Sequence, residues 1–271
     1  TTSFTRSTIK QGVTILAQFE QSQRAGPYAD ALRASSLTQQ MRAGQLRFEG
    51  GQMRALADDP AKIEQDEPDR EDKAAYLLPQ MLPEFASLRR EFFLVSPYFV
   101  PGEGGVEHLK RLRDKGVRVQ VLTNSLAATD VPAVHAGYAK YRRALLEAGI
   151  ELYEFKATAR RDVVAAPPTP ALGKESTAPK LGGSSRASLH AKTMVFDCRQ
   201  FFVGSMNVDP RSVFTNTEIG IMVDAPAVAA RMCTGLSNVA TSAAYRVELR
   251  SQPDGSRKIE WVSGEEGAEE G

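Results

Sequence analysis

Between residues 92 and 155, hydrophobic residues fall into strand-length runs that alternate with segments of helical spacing. The runs lie at 92–96, 117–122 and 150–155. The segments between them repeat apolar residues every three or four positions, and each ends at a glycine, Gly116 or Gly149. Strands that alternate with helices are typical of a parallel sheet covered on its faces. The pattern therefore predicts an α/β fold in which helices flank a mixed, largely parallel sheet.

Composition divides the chain into regions. Residues 1–72 are polar and helix-prone, and their acidic, proline-containing end is typical of a linker. Residues 73–262 contain the strand and helix pattern, which is interrupted at 158–188 by a segment rich in Pro, Ala, Gly and Ser. We expect this segment to be a long mobile loop, either a lid on the substrate side or a tolerated insertion. Residues 263–271 form an acidic tail.

Two further apolar runs, 188–196 and 201–205, flank a short polar segment and predict an antiparallel hairpin. This hairpin carries His190 and Lys192 two positions apart, Asp197 at the turn, and Ser205 and Asn207 at the end of the second run. Side chains two apart on a strand point to the same face, so we expect the imidazole, the ammonium, the hydroxyl and the amide to converge. A fixed positive charge, two hydrogen-bonding groups and a histidine suit the chemistry of a phosphate ester.

A second His-x-Lys pair, His108 and Lys110, shows how specific this pattern is. It lies in a segment predicted to be helical, where residues two apart diverge. Lys115 occupies the position that corresponds to the aspartate. We therefore predict that His108 is a surface residue of a helix.

Composition also narrows the function. The chain has 34 basic and 33 acidic residues, a net charge of +1, whereas non-specific nucleic-acid binding usually requires a basic excess. We expect no nucleic-acid partner. Apolar runs stay far below the roughly 20 residues that span a bilayer. Cys198 and Cys233 are the only cysteines, too few for a disulfide framework, and no ligand spacing predicts a metal or another cofactor.

The motif residues resemble the signature of the phospholipase D superfamily, His-x-Lys-x4-Asp-x6-Gly-Ser-x-Asn, and fill every fixed position from His190 to Asn207. Glu218 matches the acidic position that this superfamily has downstream. Within the superfamily, the chain is similar to the bacterial cardiolipin synthases from about Tyr76 to Trp261. The segments that carry this resemblance are Ser96–Pro101, Leu122–Asp130, Val134–Tyr138 and Asn207–Ser212.

The resemblance implies a reaction in two steps through a phosphohistidine. One histidine attacks phosphorus while another protonates the leaving alcohol, and an acceptor then releases the phosphatidyl group. His190 would be the general acid and later the base, although the sequence leaves open which histidine attacks. Lys192 would supply charge, Glu218 would orient a histidine, and Asp197 would have a supporting structural role within the catalytic motif.

Three residues are predicted to bind substrate. Ser205 and Asn207 would donate hydrogen bonds to the phosphate oxygens. His135 lies in a His-Ala-Gly-Tyr segment that is part of the resemblance. It is predicted either to contact the lipid headgroup or to cap or pack a helix.

The family resemblance implies phosphatidyl transfer between glycerophospholipids, as in cardiolipin synthesis. A hydrolytic phospholipase D, in which water replaces the acceptor alcohol, is one alternative. A half-module that binds phosphate without turnover is another. The sequence leaves the donor and acceptor lipids open.

Members of this kind carry two copies of the motif, and this chain has one. The chain starts at Thr1 without a signal pattern, so we expect a piece of a longer protein whose N-terminal half, ending in residues 1–72, carries the first copy. A homodimer that supplies the second histidine is the arrangement we favour less. The expected substrate is phospholipid at a membrane surface. This implies a bacterial protein peripheral to the inner membrane, on a face that the sequence leaves open.

Overall fold

The computed structural model describes residues 33–45, 48–63, 76–158 and 188–263. The chain divides into two compact units, formed by residues 1–48 with 164–185 and by residues 49–163 with 186–271. The described part of the first unit contains helix α1 (Ser36–Arg42), which begins after an N-cap in which Ser35 Oγ accepts a hydrogen bond from Thr38 N (3.3 Å). Apart from their edges, the predicted loop at 158–188 and tail at 263–271 lie outside the described residues, as do residues 1–32 of the predicted N-terminal segment.

The second unit is a sheet with helices on both faces. Its helices are α2 (Leu77–Gln80), α3 (Leu82–Ser87), α4 (Gly102–Asp114), α5 (Pro132–Glu147), α6 (Pro210–Phe214) and α7 (Pro226–Ser242), with a 3-10 helix at Pro60–Ile63. Its strands are β1 (Gln52–Ala57), β2 (Glu91–Val95), β3 (Arg118–Asn124), β4 (Glu151–Phe155), β5 (Thr193–Phe196), β6 (Gln200–Gly204), β7 (Ile219–Asp224), β8 (Ala244–Ser251) and β9 (Arg257–Ser263). None of the helices in the described ranges combines the length and the apolar character needed to cross a bilayer.

Among the described residues, the strands form one sheet in the order β1-β7-β6-β5-β2-β3-β4-β8-β9. The predicted α/β class and the mixed sheet flanked by helices are confirmed, as are the hairpin β5–β6 and the alternation from β2 to β4. The largely parallel pairing is wrong, because among the pairs of described strands only β2–β3 and β3–β4 are parallel. A parallel pair needs a long crossover, which α4 and α5 provide. Short turns join the antiparallel pairs β5–β6 and β8–β9, and the remaining antiparallel pairs join strands that are farther apart in the chain.

The two faces of the central strands enter different clusters of buried side chains. Along β2, Phe92 and Leu94 pack with residues of α2 to α5, whereas Phe93 and Val95 pack with α7. This alternation follows from the two-residue period of a strand. Because helices cover both faces, β2 and β5 read as continuous apolar runs, as expected for buried strands.

The sheet begins earlier in the chain than predicted. Residues 49–63, assigned to the helix-prone N-terminal segment and its linker, belong to the sheet unit, in which β1 pairs antiparallel with β7. Leu56 on β1 is 1% exposed and joins the core. The other side chains of β1 are exposed. The sequence of β1 therefore lacks the run of apolar residues that indicates a buried strand.

A disulfide joins Cys198, in the turn between β5 and β6, to Cys233 on α7, with the Cα atoms 5.8 Å apart. The turn places Asp197 and Cys198 at φ 51°, in the left-handed region. Two successive residues with positive φ are typical of the tight turns that match the twist of a hairpin. The sequence did not predict this bond, since 35 positions separate the two cysteines.

Close backbone packing at the β6–β7 pair gives a test of the fold. Gly204 and Gly220 are opposite each other, and a Cβ added at Gly220 would collide with the ring of Phe202 and lie 2.9 Å from Val203 O. We expect Gly220→Ala to lower the free energy of unfolding by about 1–3 kcal/mol through overpacking. Gly235 on the exposed side of α7 has nothing within 4 Å, so Gly235→Ala should stabilise by about 0.5–1 kcal/mol. Chemical denaturation of both variants measures this, and equal effects would contradict the packing.

Candidate active site

The predicted site residues gather where several strands end. Strand register aligns the C-terminal ends of β2 and β3 with the start of β5, the end of β6 and the start of β7. We call this side of the sheet the motif edge. The residues that flank these strand ends are His190 and Lys192 before β5, Ser205 and Asn207 after β6, and Glu218 before β7.

His190 and Lys192 do not lie on a strand, contrary to the premise of the sequence argument, because β5 begins at Thr193. His190 is exposed and Lys192 is partly buried. Lys192 Nζ donates a hydrogen bond to His190 O (3.2 Å), and Gly204 N donates to Lys192 O (3.2 Å). Hydrogen bonds to backbone carbonyl groups, and not the periodicity of a strand, therefore fix the arrangement of these two residues.

Asn124, which the sequence analysis missed as a site residue, fixes the segment before His190. Its Nδ2 donates to Leu189 O (3.1 Å), and its Oδ1 accepts from Leu189 N (2.9 Å). Asn124 is 2% exposed and ends β3. A buried amide at the end of an apolar strand is the signal that could have identified it, because buried polar groups need partners.

The Lys192 ammonium lies among acidic groups. Partial burial lowers its pKa, and the carboxylates of Glu218, Asp130 and Asp209 oppose this by favouring the charged form. A partly desolvated cation interacts more strongly with an incoming anion than a fully hydrated one does. Lys192 is therefore suited to bind a phosphate group.

Ser205 and Glu218 form a pair across β6 and β7. Ser205 Oγ donates to Glu218 Oε2 and accepts from Ile219 N (3.0 Å). Asn216 Nδ2 donates to Glu218 Oε1 (3.3 Å). Glu218 is 7% exposed, and these two donors fix the position of its carboxylate. The hydroxyl proton of Ser205 is directed to Glu218, which differs from its predicted use on the substrate.

Asn207 is half-buried in the turn that follows β6. Its backbone N–H donates to Ser212 Oγ (3.3 Å), and the next residue, Val208, donates its N–H to Ser96 Oγ (3.1 Å). Within the described ranges, the side-chain Oδ1 of Asn207 is buried without a hydrogen-bond partner. The backbone here is fixed, while the amide group retains hydrogen-bonding capacity.

Asp197 lies away from the other motif residues, at the far end of β5. Its carboxylate accepts hydrogen bonds from the backbone N–H groups of Arg89 (3.0 Å), Arg90 (2.8 Å) and Glu91 (2.9 Å). The four residues of β5 lie between it and Lys192, so the two positions are five strand steps apart, a span of roughly 16 Å. The geometry thus corresponds to the predicted supporting role and excludes direct contact with the groups at the motif edge.

His135 lies in the first turns of α5, next to the buried polar side chains of Arg142 and Glu154. Its Nε2 is 3.0 Å from Arg142 Nη2, and Arg142 forms an ion pair with Glu154 (3.0 Å), which accepts from Trp261 Nε1 (2.9 Å). Burial lowers the pKa of His135. Of the predicted alternatives, the contacts show packing. The ring also lines a shallow cleft with Asn124, so headgroup contact stays a prediction.

His108 is on helix α4 as predicted, but it is not a surface residue. Its ring is half-buried and packs edge-on against Phe85, with the ring centroids 5.0 Å apart. Burial lowers its pKa. The apolar spacing of α4 brings His108 next to Leu109 and Leu112, which face the core, and this explains the difference.

The role of Asp197 can be separated from that of the motif edge. Asp197→Ala removes an acceptor for three backbone donors, so we expect unfolding free energy to fall by about 1–3 kcal/mol. Folded protein should keep its affinity for inorganic phosphate, because Asp197 is remote from Lys192. Denaturation curves and calorimetric phosphate titration measure the two effects. Lys192→Ala is the matched control and should show the reverse pattern, and weakened phosphate binding by folded Asp197→Ala would contradict the assignment.

The two partly buried histidines predict a pH dependence of stability. Burial lowers the pKa of both His108 and His135 from the usual value near 6.5. Between the lowered and the usual pKa, the unfolded chain binds more protons, so stability falls as pH decreases below about 6.5. We expect His108→Gln to flatten the decline between pH 7 and pH 5. NMR titration of the ring protons provides the direct check, and a midpoint above 6.5 for either ring would be inconsistent with burial.

Comparison with known proteins identifies the family. The family model described as "Cardiolipin synthase, PLD-like domain" matches residues 81–238. Cardiolipin synthase C of Escherichia coli K12 is 37% identical over 238 residues, which cover 87% of this chain and 46% of that protein. An uncharacterized protein of Helicobacter pylori is 33% identical over 175 residues, covering 65% of this chain and 31% of that protein. The chain thus spans less than half the length of these relatives.

Among solved structures, the phospholipase D family member Nuc from Salmonella typhimurium has a TM-score of 0.48 at 12% identity, over 73% of this chain and 99% of that one.

The family model covers more than half of the chain and includes His190, Lys192 and Glu218. The chain therefore belongs to the phospholipase D-like domains of the cardiolipin synthase family.

Proposed function

We propose that this chain carries one of two histidine motifs of an enzyme that transfers a phosphatidyl group between glycerophospholipids, as in cardiolipin synthesis. The observation that supports this most directly is the arrangement of the motif edge. Lys192 Nζ donates a hydrogen bond to the backbone carbonyl of His190, and Lys192 lies in the field of the Glu218 carboxylate. Family membership supports phospholipid chemistry at these residues.

The proposed reaction exchanges one phosphate ester for another in two steps. In the first, a histidine nitrogen bonds to phosphorus, the P–O bond to the leaving alcohol breaks, and a second histidine protonates that alcohol. In the second, an acceptor alcohol gives its proton to the now neutral second histidine, its oxygen bonds to phosphorus, and the N–P bond breaks. His190 is assigned to the proton transfers, and the other motif supplies the nucleophile.

The other residues of the motif edge bind and orient. The Lys192 ammonium compensates charge on the non-bridging oxygens, which increases as the new bond forms. Asn207 would donate its side-chain N–H to the same oxygens. Glu218, which accepts hydrogen bonds from Ser205 and Asn216, would accept an N–H from a histidine and so orient its ring.

Two alternatives predict different products. A hydrolytic phospholipase D releases phosphatidic acid because water attacks the phosphohistidine. A half-module that only binds phosphate gives no product. We favour transfer because the matching family model and the E. coli relative are both described as cardiolipin synthase.

The proposal includes partners and location. An N-terminal half with the first motif would complete the site, and a homodimer is the arrangement we favour less. The substrate would be met at the surface of the bacterial inner membrane, with the protein bound peripherally.

The central test replaces the motif histidine in the complete gene product. With phosphatidylglycerol vesicles, His190→Ala should reduce formation of cardiolipin and glycerol about a hundred- to ten-thousand-fold, because it removes general acid–base catalysis. Circular dichroism checks that the variant folds. His108→Gln is the matched control from the other His-x-Lys pair and should stay active per folded molecule. Normal transfer by folded His190→Ala would refute the assignment, and phosphatidic acid as the main wild-type product would favour hydrolysis.

The requirement for a second motif predicts the behaviour of the chain alone. The 271-residue chain should form no product from phosphatidylglycerol, because one motif supplies one histidine. Product assays should be combined with light scattering to determine the oligomeric state. Adding the N-terminal half should restore transfer. Robust turnover by a homodimer of this chain would instead support symmetric pairing.

A further inference from the structure

A buried ion pair lies directly behind the motif edge. Lys62 Nζ is 2.7 Å from Asp58 Oδ2, and both side chains are 1% exposed. The pair comes from residues 49–63, which precede the family match at 81–238. Burying two charges is costly unless their remaining hydrogen-bonding capacity is used. The partners of the pair therefore indicate its purpose.

Two hydrogen bonds join Asp58 to the backbone of Glu218. Asp58 Oδ2 accepts from Glu218 N (2.8 Å), and Asp58 N donates to Glu218 O (2.9 Å). Asp58 Oδ1 accepts from Leu77 N (2.7 Å). These bonds fix the backbone from which the Glu218 carboxylate extends.

Lys62 holds the other side of the same site. Its Nζ donates to Ser212 O (3.0 Å) on α6, and Ser212 Oγ accepts from Asn207 N (3.3 Å). One ion pair thus anchors the segments that carry Glu218 and Asn207. Neither of its side chains is exposed to substrate.

We propose that Asp58 and Lys62 are positioning residues, which hold Glu218 and the Asn207 turn in register with His190 and Lys192 for the reaction. This inference rests on the proposed function of those residues. A displacement of about 1 Å in such a group is enough to reduce turnover strongly, roughly 100-fold.

The test uses Asp58→Asn and Lys62→Met in the complete gene product. Asparagine cannot accept from Lys62, Glu218 and Leu77 together, and methionine retains the length of the side chain without its charge. We expect kcat to fall roughly 10- to 100-fold while KM changes less than about twofold, because the pair does not contact substrate. Hydrogen–deuterium exchange of residues 205–219 should become faster.

Val247→Ala provides the stability control. Val247 is 2% exposed on β8, on the other side of the sheet from β7, so its truncation weakens the core without touching the motif edge. At an equal loss of melting temperature it should retain kcat. If Asp58→Asn and Lys62→Met lose no more kcat than Val247→Ala does, the positioning role is wrong. If Asp58→Asn does not fold, Lys62→Met alone decides between these results.

His190→Ala in the same assay separates this inference from the proposed function. If His190→Ala loses activity and the ion-pair variants do not, only the positioning role fails. If His190→Ala stays active, the proposed function fails and the catalytic role of the ion pair fails with it.

The disulfide carries a second, independent inference. Cys198 and Cys233 are the only cysteines of the chain, and they are bonded to each other. Cys198 lies in the β5–β6 turn, and its sulfur is bonded across 35 positions of the chain to Cys233 on α7. Structural disulfides persist in oxidising compartments and are rare in the cytosol.

We infer that the sheet unit, and with it the motif edge, faces an oxidising compartment outside the cytoplasm. There, a disulfide-bearing protein oxidant would accept two electrons and two protons from the two thiols by thiol–disulfide exchange. The bond then ties the β5–β6 turn to α7.

Alkylation with N-ethylmaleimide before the host cells are lysed tests this location. Mass spectrometry without reductant should find the peptides of Cys198 and Cys233 joined and unlabelled. Two labelled thiols would overturn the inference. So would a metal ion held by both sulfurs and the neighbouring Glu91 carboxylate, whose ligand atoms lie within 4.8 Å of one another.

Discussion

The antiparallel register of β5, β6 and β7 is the constraint on which the motif edge depends. Thr193 pairs with Val203, and Gly204 pairs with Gly220, so the end of β6 meets the starts of its two neighbours. A slip of one position would displace the segments that flank these strand ends, and with them the polar groups that they carry. The paired glycines favour the observed register, because the Phe202 ring occupies the space that their side chains would need.

The two ends of β5 have separate tasks. Before the strand, Lys192 remains partly exposed among carboxylates, where a charged ligand can reach it. After the strand, the Asp197 carboxylate accepts hydrogen bonds from three backbone N–H groups at the start of β2. The next residue, Cys198, is bonded to α7 through the disulfide. The motif aspartate therefore contributes to the site indirectly, by fixing the hairpin that presents the lysine.

Polar groups behind the motif edge are buried, and nearly all of them have partners. Asn124 bonds to the backbone before His190, Ser96 to the backbone after Asn207, and Asp58 to the backbone of Glu218. Unpaired polar groups at these depths would be costly, so each bond restricts the local backbone to one arrangement. Rigid support of this kind fixes the backbone from which exposed side chains such as His190 extend.

The sequence by itself determined the local features: the strand and helix alternation from β2 to β4, the β5–β6 hairpin, and the spacing of His190, Lys192, Ser205, Asn207 and Glu218. Periodicity and motif spacing encode these features because they depend on neighbouring residues. Tertiary structure decided the rest. The order in which distant strands pair made most of the sheet antiparallel. Contacts between distant segments also brought Asp58 and Lys62 behind Glu218. Packing against Phe85 turned the His108 ring toward the core. The disulfide likewise joins positions 35 residues apart. Contacts between distant segments depend on how elements pack together, which no local pattern along the chain records.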